Sequence, residues 1–94
     1  MYAMKECFLL PQVAFYITAI DSDNHAVREA ACHCISELSC KIEKEAVQPH
    51  VAVLLEALIV CFRDESWPVR DTACVACGKF ILAFPKECEG ILFS

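Results

Sequence analysis

Glycine is nearly missing from this sequence: only Gly78 and Gly90 occur in 94 residues. There is no material for the glycine-rich loops that cradle phosphates through successive backbone N–H groups. Basic residues are also sparse, eight Lys and Arg against thirteen Asp and Glu, for a net charge of −5. Non-specific nucleic-acid affinity comes from clustered cations on phosphates, and here the cations are scattered, so no nucleic-acid partner is expected. An acidic surface favours partner proteins with basic faces. Long apolar runs are missing too. None reaches the ~18 uninterrupted residues of a membrane span, and the strongest, Val51 to Phe62, is broken by Glu56. It suits a buried helix, and no membrane partner is expected. Finally, no nucleophile motif or paired-acid constellation occurs, and His25, His33 and His50 have no carboxylate at ligand or triad spacing. These absences point away from an enzyme and imply no cofactor.

What the sequence does have is apolar content, 57% against 22% charged, the reverse of the balance that keeps chains disordered. It also has eight cysteines. They admit a disulfide framework in a secreted mini-protein or buried thiols in a reducing compartment. The first reading needs a leader, and Cys7 to Ile20, interrupted by Pro11 and Gln12, crudely resembles the apolar core of one. The repetition described next favours a helix there instead, and with it an intracellular chain, cytoplasmic or nuclear.

Val27-Arg28-Glu29-Ala30-Ala31-Cys32 recurs as Val69-Arg70-Asp71-Thr72-Ala73-Cys74, an offset of 42 residues. Self-similarity at such an interval marks stacked helical units. The same offset lays Leu9 to Ile20 on Val51 to Phe62, matched in apolar character. The expected order is therefore a first helix over about 9–20, its start near Pro11, which is comfortable in a first turn. Asp21-Ser22-Asp23-Asn24 is a turn with Asn24 as N-cap, and Ser66 takes the equivalent place in the second copy. The second helix runs to about Ile42, with Val27, Ala30, Ala31, Cys34, Ile35 and Leu38 as its apolar stripe. Glu43 to Val47 is a connection, and Pro49 opens a third helix through Val51, Leu54, Leu55, Leu58 and Phe62. That helix is apolar nearly all round, as one lying between two neighbours would be. A fourth begins at Trp67-Pro68, buries Val69, Ala73, Ala76, Cys77 and Phe80, and ends at Phe84-Pro85. Lys86 to Ser94 reads as a connection and one further turn.

The pattern of a helix, a short acidic turn, then Val-Arg with small residues and a Leu or Phe resembles HEAT repeats of the armadillo-type superfamily, over about residues 9–84. The resemblance implies an all-α right-handed solenoid of about two antiparallel helix pairs: repeat one near 7–42, repeat two near 48–84, and the start of a third at 86–94. It further implies a protein-interaction scaffold without chemistry, and a ladder of hydrogen bonds between repeats built from a turn Asp and an early Arg. Asp64 stands six before Arg70 and fits that ladder; six before Arg28 stands Ser22, flanked by Asp21 and Asp23. Repeat arrays gain stability from neighbours and are usually three units or more. A two-repeat chain is then expected to be a segment of a longer array or to self-associate through end helices that expose apolar surface.

Two sets of residues are candidates for function. The second helices of the repeats should line the binding face, with Glu29, His33, Ser36, Asp71 and Lys79 off the apolar stripe and Trp67 as an anchor at a turn tip or as packing beneath a neighbour. The rival set is Cys32, Cys34, Cys74 and Cys77, two close pairs of the kind a tetrahedral zinc site uses, or a redox-active helical domain. Against it, the offset sets Cys34 on Ala76, Ile35 on Cys77 and Cys40 on Leu82. Cysteine trades places with small and aliphatic residues and behaves as a core hydrophobe. Gly78, in mid-helix, suits the close approach of another helix.

Overall fold

The computed structural model describes the backbone of residues 2–92 and the side chains of residues 11–92. Cys7 and Ser94 therefore lie outside the described side chains. The described residues form α1 (Tyr2–Ile20), α2 (His25–Lys41), α3 (Lys44–Val47), α4 (Val51–Val60), α5 (Trp67–Ala83) and α6 (Pro85–Leu92). A 3-10 turn at Gln48–His50 joins α3 to α4, and another at Cys61–Arg63 follows α4. This is an all-α helical-repeat fold: α1 packs on α2, α4 on α5, and the two pairs join chiefly through α2 against α5.

The boundaries follow from local chemistry. Asn24 caps α2, its Oδ1 accepting from the Ala26 N–H at 2.9 Å, which satisfies a donor the helix leaves unpaired. Ser66 holds the same position before α5 but its side chain makes no cap bond; its own N–H donates to Asp64 Oδ1 at 2.9 Å, which orders the turn. Phe84 ends α5 ahead of Pro85, which opens α6 where a missing N–H costs nothing.

Several expectations need correction. The first helix does not start near Pro11 but runs from Tyr2 through it; the proline removes one bond of the ladder, and burial of Val13 and Ile20 holds the rest in line. Glu43 to Val47 is not a loop. Ala46 and Val47 are buried, and α3 packs on α1, so burial winds the segment into a helical turn that leads directly into α4. The α2 stripe is also turned: Ala31, Ile35 and Leu38 are buried, together with Cys32, Ser36 and Ser39, while Val27 and Ala30 are exposed. One helix face meets α1 and the next meets α5, so α2 buries two adjacent stripes.

The core gathers around α4 and α5. Val51, Leu54, Leu55 and Leu58 are fully buried, as are Val69, Ala73, Ala76 and Phe80. Phe62, expected inside, is exposed because the chain tightens to a 3-10 turn there, and Cys61 takes the inward place. Residues Lys44–Arg63 form one helical run with mean hydropathy 1.6, long and apolar enough by composition alone to cross a bilayer. In this fold Val47, Val51, Leu54, Leu55 and Leu58 are buried on the side that meets α1, α5 and α6, while Val53, Val60 and Phe62 stay exposed, so the helix is not covered all round as its composition suggested.

Buried polar groups on α2 are satisfied locally. Ser36 Oγ donates to the His33 carbonyl and Ser39 Oγ to the Ser36 carbonyl, each at 2.7 Å. At the far end Gln48 Nε2 donates to Glu87 Oε2 at 2.7 Å, tying α6 to the turn before α4.

Candidate protein-binding surface

Arg28 stands in the first turn of α2, where its guanidinium lies between the two turns that precede the second helices. Nε and Nη2 donate to Oδ2 and Oδ1 of Asp64 at 2.7 and 2.9 Å, a two-pronged pairing that a planar guanidinium suits and a lysine does not. Nη1 donates to the Ser22 carbonyl at 2.8 Å. The Arg28 hydrogen bonds hold the Asp64 carboxyl below the usual carboxylate range, helped by the Ser66 N–H, and the same pairing raises Arg28.

Arg70 repeats part of this geometry. Its Nη1 donates to the Asp64 carbonyl, the counterpart of the Arg28 bond to Ser22. Ser22 Oγ in turn accepts from the Asn24 N–H, as Asp64 accepts from Ser66. Ser22 thus serves its turn as Asp64 does, but has no carboxylate to pass across to another arginine. Arg70 is exposed and pairs with no carboxylate among the described residues.

The second-helix residues named as a binding face are only partly together. Glu29 is half-buried, His33 and Asp71 are exposed, Lys79 is half-buried, and Trp67 is 67% exposed. Ser36 must be removed from the set: it is 2% exposed, beneath α5. Reading α2 as a helix with one apolar stripe placed Ser36 outward, and the second neighbour covers it. Glu37 belongs on the face and was missed. It takes Lys41 Nζ at 3.0 Å and His33 Nε2 at 3.3 Å, so His33 has a carboxylate partner one turn away. Lys41 chiefly, with His33 and Lys79, lowers the Glu37 carboxyl, and the packing of α2 on α5 brings the two helices side by side.

Next to this charged strip α5 exposes apolar surface. Trp67, Asp71, Val75 and Leu82, spaced four, four and seven, share one helix face, and Val75 and Leu82 are 53% and 86% exposed. The signal was available in the sequence, since Val75 stands at the offset of His33 and Leu82 at that of Cys40.

The four candidate zinc ligands do not converge. Cys32 lies beside Cys61, Cys34 lines a groove toward α1, Cys77 is buried near Cys88, and Cys74 is exposed. Among the described residues no three His, Cys, Asp or Glu side chains group as a metal site. The hydrogen bond with Cys61 and burial hold the proton on Cys32 well above the ordinary thiol range, and burial pushes Cys77 up to about 11. Cys74 and Cys77 sit inside α5 and not at its start, where a redox pair gains its low pKa.

Comparison with known proteins adds one finding: residues 54–84 match the family model of the HEAT repeat, from the middle of α4 through the end of α5. No curated protein and no solved structure matches the chain.

Proposed function

We propose, from the match of residues 54–84 to the family model of the HEAT repeat, that the chain is a non-enzymatic scaffold that binds another protein through the outward side of α5 and the adjoining edge of α2. The observation that carries this is the exposed row of Trp67, Val75 and Leu82 on a helix whose opposite side is fully buried. A soluble chain has little reason to gather large apolar side chains in one exposed row, and such a row is the usual centre of a protein interface. Glu29, His33, Glu37, Asp71 and Lys79 supply the polar rim. Their mixed signs, within a chain of net charge −5, support a partner with a basic border around an apolar centre. The seven free thiols among the described residues support an intracellular setting, where thiols stay reduced. The helix pairs are read as two repeats, near 7–42 and 48–84, with α6 opening a third.

The test is copurification from cells of tagged wild-type chain beside Trp67→Ser, Val75→Asp and Leu82→Asp variants. One partner retained by the wild type and by Asn24→Ala, and lost with each of the three, is the expected result. Equal retention by all variants overturns this placement of the face.

A further inference from the structure

The ion pair between Arg28 and Asp64 has a second rung beside it. Cys32 stands one turn after Arg28 on α2, and Cys61 stands three positions before Asp64, whose N–H donates to the Cys61 carbonyl at 3.1 Å. This rung is made of sulfur: the Cys32 S–H donates to the Cys61 sulfur. Both thiols are closed off in the seam, at 0% and 2% exposure. Among the described residues no other two thiols share such a bond, and the buried Cys77 feels its neighbour Cys88 only through charge. At the offset of 42, Cys32 corresponds to Cys74 and Cys61 to Ala19. A small side chain is all that packing asks at position 61, so two sulfurs meeting there is more than the core requires.

The two thiols also differ in acidity. Donation from Cys32 holds Cys61 below the ordinary thiol range against the opposing effect of burial, while the charges of Asp64 and Arg28 act on it in opposite directions. The same bond, with burial, keeps the proton on Cys32. A more acidic sulfur beside a protonated one is the arrangement of an attacking thiolate and a resolving thiol. Cys61 lies in a 3-10 turn whose other members, Phe62 and Arg63, are exposed, and Ile59, Val60, Arg63 and Asp64 line an open depression around it. A small opening of that single turn admits a molecule little larger than water.

We propose that Cys32 and Cys61 form a redox-modification site, at which a hydroperoxide joins them as a disulfide that locks the first helix pair to the second. The Cys61 thiolate attacks one peroxide oxygen. An S–O bond forms, the O–O bond breaks, and the departing oxygen leaves as water or alcohol with the proton that Cys61 gave up. The Cys32 sulfur then attacks Cys61: the S–S bond forms, the S–O bond breaks, and hydroxide leaves as water with the Cys32 proton. The two thiols lose two electrons, and the peroxide takes both. Sulfurs already in hydrogen-bond contact need only a small side-chain shift to reach a bonding distance of about 2.05 Å, and the Arg28–Asp64 rung holds the two backbones meanwhile. The link joins positions 29 apart in the chain, so it also restricts the unfolded state. None of this depends on what binds the outer side of α5.

Hydrogen peroxide added to the folded, reduced chain at neutral pH tests the proposal. After quenching with maleimide in denaturant, non-reducing peptide mapping should find Cys32 joined to Cys61 as the main link within the chain, and dithiothreitol should reverse it. The oxidised chain should melt at least about 5 °C above the reduced one. Both readouts use the wild type and need no variant to fold. Cys32→Ala should leave on Cys61 a sulfenic acid that dimedone traps, whereas Cys61→Ala should leave Cys32 unmodified. Absence of the Cys32 to Cys61 link once the exposed Cys40 and Cys74 have been consumed overturns the proposal. So does a link whose formation lowers the melting temperature, or dimedone trapping at Cys32 with none at Cys61.

Discussion

Arg28 and Asp64, 36 positions apart, meet through two parallel hydrogen bonds of 2.7 and 2.9 Å that fasten the turn of the second helix pair to the second helix of the first. The pairing is half-sheltered, with side-chain exposures of 12% and 10%, so water competes with it less than with a surface ion pair. Asp64→Asn keeps the shape but gives up the charge, and Arg28→Lys keeps the charge but gives up the fork. Both should lower the thermal midpoint, and the double variant should lose less than the sum, because the two changes remove one interaction. Thermal melts of the three proteins read this directly; full additivity would mean that the pair contributes nothing jointly.

The same pairing sets an acid limb. Asp64 titrates lower in the folded chain than in the unfolded one, chiefly because Arg28 donates to its charged form. Its stabilisation is therefore complete above the unfolded value of about 4 and is lost as pH falls through the lower folded value. Denaturant midpoints should fall from about pH 4 downward in the wild type, and Asp64→Asn should flatten that limb.

The caps of α2 and α5 should answer differently to alanine. Asn24→Ala removes an observed cap bond and should cost about 0.5–2 kcal/mol. Ser66→Ala removes a side chain that makes none and should stay within about 0.5 kcal/mol. Equilibrium denaturation of both variants makes the comparison, and equal losses would contradict the difference in capping between Asn24 and Ser66.

Two positions two residues apart on α5 should differ more widely. Phe80 is fully buried and stacks near Phe84 with ring centroids 5.9 Å apart, so Phe80→Ala should cost about 3–5 kcal/mol. Leu82→Ala, at a site almost entirely in water, should stay within about 0.5 kcal/mol. The same denaturation series tests both.

Thiol chemistry should sort by position. Cys40 and Cys74 are exposed, while Cys32, Cys61, Cys77 and Cys88 are buried, and Cys32, Cys77 and Cys88 have raised pKa values that keep them protonated. Timed alkylation read by peptide mapping should label the first two quickly, and the four buried thiols only as the chain opens. Rapid labelling of Cys32 would show that the α2–α5 seam is not closed.

Periodicity made the second pair legible because α5 has one dominant buried side, and all five of its anticipated core residues lie there. It failed on α2, which has two buried sides: hydropathy indicates that a side chain is small or apolar but not how many neighbours a helix has, and Ser36 and Ser39 can be buried because they bond their own helix. The six-residue spacing from Asp64 to Arg70 picked out a real bond, but one made by the backbone carbonyl. The carboxylate crosses to Arg28, a partner that no local spacing reveals. The apolar row on α5 escaped notice because Val75 and Leu82 look like core residues until the neighbouring side of the helix is seen to carry the packing. Among the cysteines, comparison of the copies was more informative than ligand spacing, since it showed thiols standing where alanine and isoleucine also stand.

The helical run Lys44–Arg63, whose inner side lies against α1, α5 and α6, also governs what happens when the fold is lost. Released from α1, α5 and α6, it becomes a twenty-residue stretch of bilayer-like hydropathy presented to water, the kind of segment that drives unfolded chains to aggregate. The lifetime of this protein in a cell is then set less by how strongly any one pair of side chains holds than by how rarely that stretch is uncovered, and by how quickly chaperones or proteases reach it when it is.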